Sequence, residues 1–211
     1  VAAATAWFGA GPERAVRVGV MRFAVTTPAS DSISTYPAGQ DVAISPDGTM
    51  IAYVGRTADG QAPRIYLRPI HQVEGAPLRG SENGFNPFFS PDGEWVGFVD
   101  ATDSRTVKRV ATTGGAAVMM GALSDPVQSI EGVTSVTKDE IMVGTGGNTG
   151  LFRLRVGGGE PERLTEGSHH WPAMIEGRDA LLLMDHIEGT HIATLDLRTG
   201  EVARVGLEGT N

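Results

Sequence analysis

The 211-residue chain carries 17 basic and 25 acidic residues, a net charge of −8, which argues against general nucleic-acid binding because that task wants a basic face. It has no cysteine, which excludes a disulfide framework and any Cys-ligated metal site, while 40% hydrophobic residues suffice for a core. With 29 Gly and 12 Pro it is rich in turn formers, a composition that favours short strands over long helices.

The chain opens on an apolar run from Val1 to Ala10 and turns polar at Gly11, Pro12, Glu13 and Arg14. That run is too short to cross a bilayer, which takes about 20 residues. It reads either as the last half of a membrane helix, with Trp7 and Phe8 at the interface, or as a terminal helix or strand. No basic n-region of a cleavable signal peptide precedes it. Residues 1–14 are therefore set apart from a domain expected over 15–211.

Val16 to Val25 reads as a strand, and behind it the sequence repeats. The stretch from Val42 to Val54 recurs from Pro87 to Val99, with identical turns Ser45-Pro46-Asp47-Gly48 and Ser90-Pro91-Asp92-Gly93. Proline presets φ, Asp closes the turn with its carboxylate, and Gly accepts φ > 0, so each copy predicts a hairpin. A third run follows in each, Arg64 to Pro69 and Val107 to Ala111, then a Gly-containing turn and a short fourth run.

Two looser copies come next. In one, Gly132 to Val136 and Ile141 to Val143 flank Thr137-Lys138-Asp139-Glu140, where the Pro and Gly are lost. In the other, Trp171 to Ile175 turns at Glu176-Gly177-Arg178 and returns through Ala180 to Met184. Four strands in about 40 to 45 residues is the period of a propeller blade. The expectation is an all-β fold, a β-propeller of four-stranded antiparallel blades at about 41–79, 86–119, 131–165 and 171–206. The preferred arrangement is a truncated part of a six- or seven-bladed ring with 16–25 as a closing strand; a closed four-bladed ring is the alternative.

These Ser-Pro-Asp-Gly hairpins resemble the TolB-like family of β-propeller repeats. The order Asp41 to Gly48, Asn86 to Gly93 and Gly167 to Pro172 looks most like the propeller region attached to bacterial Ser/Thr protein kinases. That resemblance implies a sensor or protein-interaction module on the extracytoplasmic side of a membrane protein, attached through its N-terminal segment, with a cytoplasmic setting as the alternative. It also implies two rival contexts: a propeller gating a prolyl-oligopeptidase-type serine peptidase, and a TolB-type periplasmic partner-binding protein.

The residues themselves show little chemistry. His71, His169, His170, His186 and His191 form no His-Glu-x-x-His pattern, and adjacent strand residues such as His169 and His170 point to opposite faces. No metal and no cofactor is expected. There is no Gly-x-Ser-x-Gly elbow, and Gly144 to Gly150 narrowly misses a dinucleotide fingerprint and lacks a helix to supply the dipole. No catalytic residue is assigned.

A binding surface is expected where each outer strand passes to the next inner one, at the funnel mouth. Glu82, Asn83, Phe85, His169, His170 and Trp171 lie in or beside these connections and are the candidate contacts for a protein or peptide partner, or for a small-molecule ligand. For Trp171, as for Phe88, packing between blades is the preferred explanation, because both begin inner strands.

Overall fold

The two Ser-Pro-Asp-Gly segments form the hairpins that the repeat predicts, and they show how the sequence drives the fold locally. In the first, Ser45 N and Met50 O close the turn at 2.9 Å, the Ser45 hydroxyl accepts Met50 N–H at 2.9 Å, and Asp47 Oδ1 accepts Thr49 N–H at 3.0 Å. In the second, Ser90, Trp95, Asp92 and Glu94 repeat the same bonds at 3.0, 3.1 and 3.0 Å. Gly48 and Gly93 sit at φ of 71° and 72°, a conformation that a Cβ disfavours.

The computed structural model describes residues 39–56, 62–124 and 126–206. The N-terminal segment 1–14 and the proposed closing strand 16–25 lie outside the described residues.

Four antiparallel sheets of four strands follow one another along the chain. The first contains β1 (Val42–Ile44), β2 (Met50–Gly55), β3 (Arg64–Pro69) and β4 (Ala76–Glu82). The second contains β5 (Gly84–Phe89), β6 (Trp95–Asp100), β7 (Thr106–Ala111) and β8 (Val118–Ala122). The third contains β9 (Ile130–Thr137), β10 (Glu140–Thr145), β11 (Leu151–Arg155) and β12 (Glu162–Arg163). The fourth contains β13 (His169–Met174), β14 (Ala180–Asp185), β15 (His191–Asp196) and β16 (Val202–Arg204). No helix occurs among the described residues. The first strand of each sheet packs on that of the next, β1 on β5, β5 on β9 and β9 on β13, so the sheets are the blades of a β-propeller.

Burial follows from how many faces of a blade are covered. Every residue of β6 is buried, because the second blade lies between the first and the third. Ala52, Val54 and Ile65 of the first blade join Phe85, Val96 and Phe98 of the second and Val133 and Ile141 of the third in one continuous core. The fourth blade offers Leu181, Leu183, Ala193 and Leu195 to the third. Its other face carries Leu182, 39% exposed, and Ile192, 54% exposed.

Three inner strands carry a one-residue bulge near their start: between Phe85 and Phe88, between Ile130 and Gly132, and between His170 and Ala173. In the second and fourth blades the bulge holds an X-Pro pair, and the residue before proline has positive φ, 53° at Asn86 and 45° at Trp171. The bulges turn these residues toward the neighbouring blades at the end of the molecule where blades connect.

Candidate funnel-mouth site

Asn86 shows what a bulge residue does there. Its side-chain amide donates to Ile130 O of the third blade at 3.2 Å, and its Oδ1 accepts the backbone N–H of Gln40 ahead of the first. One buried side chain thus ties three blades together at the mouth.

Trp171 occupies the corresponding place in the fourth blade, half-buried rather than buried. It fits there because Gly132 and Gly144, cross-strand partners in the third blade, leave room for it. A Cβ on Gly132 would fall 2.7 Å from Trp171 Cα, and one on Gly144 would fall 3.0 Å from Pro172 Cδ. The indole stands 5.7 Å from the His170 ring and 6.1 Å from that of His186, while the two imidazoles meet edge to face at 4.8 Å.

The two histidines differ. His169 is buried, its Nδ1 2.8 Å from the Thr165 hydroxyl and its Nε2 3.9 Å from Asp185 Oδ1. Burial pushes its pKa below the usual imidazole value, opposed by the charge of Asp185. Burial alone would raise the Asp185 carboxyl, but a 2.8 Å ion pair with Arg204 and the Ile187 N–H hold it below the usual carboxylate range. His170 faces the other way, with Nε2 2.7 Å from Ser168 Oγ and Nδ1 2.6 Å from Glu131 Oε2. The Glu131 approach is an ion-pair contact rather than an aligned hydrogen bond, and Nδ1 has no other acceptor.

The remaining candidates lie elsewhere on the mouth. Glu82 is exposed and ion-paired to Arg64 at 3.0 Å. Asn83, at φ 62°, makes the turn from β4 into β5, and its carbonyl accepts Ala101 N–H at 2.7 Å. Phe85 is 2% exposed and belongs to the interblade core, which corrects the expectation that it faces a partner. His169 and His170 are likewise buried, so the surface is left to Trp171, Glu82 and Asn83. The structure does not gather all six: Glu82, Asn83 and Phe85 border the second blade, His169 to Trp171 begin the fourth, and β9 lies between.

Glu131, Ser168 and Asn86 were absent from the sequence-based candidates. The repeated X-Pro pair signalled Asn86, whereas nothing local couples Glu131 to His170. The loop 146–150 beside Glu131 is braced, with the Thr145 hydroxyl bonded to Gly150 O at 2.6 Å and Gly146 N–H to Ser129 O at 3.0 Å. Among the described residues no cluster of three or more His, Asp or Glu side chains is placed to hold a metal ion. At the hairpin end, a cavity of about 640 Å³ is lined by Pro46, Phe89, Pro91, Val136, Met174 and Arg178, drawing on all four blades.

A blade-by-blade sheet order with inner strands meeting at the centre defines a β-propeller. Solved structures agree: the TolB-assigned protein of Agrobacterium tumefaciens superposes with a TM-score of 0.65 at 19% identity, over 82% of this chain and 67% of that one. TolB from Acinetobacter baumannii gives 0.62 at 22% identity, over 78% and 42%. Prolyl endopeptidases give 0.56 at 13% identity, over 86% and 29%. The chain thus spans between about a third and two thirds of the length of these proteins. At these identities the likeness shows the fold alone. No protein-family model matches the chain. No curated protein matches it either.

Proposed function

We propose that this propeller is a recognition module whose mouth takes a protein or peptide segment, and that it serves as the extracytoplasmic sensor of a bacterial membrane Ser/Thr protein kinase. The observation that carries the recognition reading is Trp171. A half-buried indole held at positive φ on a two-glycine seat is an aromatic anchor whose backbone strain the packing sustains. The exposed Glu82 and the half-buried Asn83 extend the same rim with polar groups. The kinase association rests on the sequence resemblance.

Peptides selected from a displayed random library against the folded chain test the recognition reading. Binding is expected to weaken roughly thirtyfold in Trp171→Ala, a hot-spot loss of about 2 kcal/mol. It should be unchanged in Val118→Ser, an exposed position on an outer strand. Selected peptides that bind both variants alike would refute the mouth as the site. The reading frame on either side tests the parent protein: a kinase domain and one membrane span upstream support the sensor. A signal peptide without a kinase favours a TolB-type partner-binding protein, and a serine-hydrolase domain downstream favours a peptidase gate.

A further inference from the structure

We propose that Ser168 is a nucleophile activated by His170 and positioned through Glu131, and that it is acylated by carboxylic esters. This goes beyond the recognition role and does not depend on it.

Three side chains from two blades meet in the required order. Ser168 lies in the bend just before β13 and His170 is the second residue of that strand, and their side chains meet. Ser168 Oγ lies 2.7 Å from His170 Nε2, and Glu131, from the inner strand of the preceding blade, lies 2.6 Å from Nδ1. The tautomer required is the one with the proton on Nδ1, beside the Glu131 carboxylate, a close contact that is not an aligned hydrogen bond. Nε2 then offers a lone pair, and the Ser168 hydroxyl donates to it, the relation a general base needs toward its nucleophile.

The surroundings suit the chemistry. The His170 and Glu131 side chains are 8% and 20% exposed, so little water competes for the imidazole, whereas Ser168 is only half-buried. The ring is held by His186 against its edge and Trp171 beside it. A cavity of about 570 Å³ is lined by Gly167, the residue before Ser168, and by His186, whose ring meets that of His170, with Arg163, Glu166 and Glu188 around it. Gly167, at φ 98°, makes the bend that presents Ser168.

In the reaction Ser168 Oγ attacks the ester carbonyl carbon while its proton passes to Nε2, and Glu131 stays ionised beside the resulting imidazolium. The bond from the carbonyl carbon to the alcohol oxygen breaks, and the departing alcohol takes the proton from Nε2. Water, deprotonated by the same nitrogen, then attacks the acyl-serine and releases the carboxylic acid, returning the proton to Oγ.

The test uses the whole chain with p-nitrophenyl acetate and with a fluorophosphonate, followed by intact-mass and peptide-mass analysis. A single adduct on Ser168 is expected, absent in Ser168→Ala, slowed roughly a hundredfold in His170→Gln and by a smaller factor in Glu131→Gln. Ser124→Ala, at an exposed serine outside the cluster, should label like the parent. In the unmutated protein, a rate of modification at Ser168 no greater than at Ser124 overturns the proposal even if a variant fails to fold. Equal labelling of a folded His170→Gln overturns it too.

Discussion

Gly132 and Gly144 face each other across β9 and β10, and together they form the seat on which Trp171 and Pro172 of the next blade rest. Close approach of two blades at the mouth therefore depends on side chains that are missing. Gly132→Val places a branched side chain where the Trp171 backbone lies, and is expected to cost about 1–3 kcal/mol by overpacking. Gly206→Ala, with open space around its Cβ, should be neutral. Urea denaturation of both variants checks this, and equal midpoints would show that β13 does not sit on the glycine pair.

The Ser-Pro-Asp-Gly turns predict an acid limit to stability. Hydrogen bonds from the Ser45 and Ser90 hydroxyls, first, and from backbone amides hold the Asp47 and Asp92 carboxyls below their usual value of 3.8. A carboxyl whose folded pKa lies below its unfolded pKa contributes stability that is complete above the unfolded value and is lost as pH falls through the folded one. Thermal midpoints should thus drop below about pH 4. Ser90→Ala should cost about 1 kcal/mol at neutral pH and flatten that acid limb. A parallel curve for the variant would show that the hydroxyl does not stabilise the carboxylate.

His169 predicts a second window at milder pH. Burial lowers its pKa from 6.5, so the folded chain keeps the ring neutral where the unfolded chain takes up a proton. Its contribution is complete above the unfolded value and declines as pH falls from about 7 to 5. Folding free energy measured across that range should slope less in His169→Gln than in the parent. An identical slope would contradict a neutral buried ring.

The fourth blade predicts a contrast between neighbouring apolar residues. Leu183 is 1% exposed in the core against the third blade, and Leu183→Ala is expected to cost about 2–5 kcal/mol. Ile192 lies on the uncovered face, and Ile192→Ala should cost under about 1 kcal/mol in this chain. Similar losses at the two positions would mean that a further element covers that face.

Residue order specifies the local structure. The Ser45 and Ser90 turns close through bonds spanning five residues, so residue order alone specifies the hairpins, and their recurrence specifies blades. The lost Pro and Gly of the third copy did not prevent a hairpin, because Thr137 and Glu140 still pair across Lys138 and Asp139. The tertiary structure alone decided burial and the site. The run Ala180 to Met184 shows no alternation in sequence, yet Leu181 and Leu183 are buried while Leu182 is half-exposed, since only one face of that blade is covered. Phe85 and His169 read as mouth residues from their positions in connections, and packing of the adjacent blades buried them. Glu131 reaches His170 from another blade, a contact that no spacing within either strand encodes, because it exists only once the inner strands have come together at the centre.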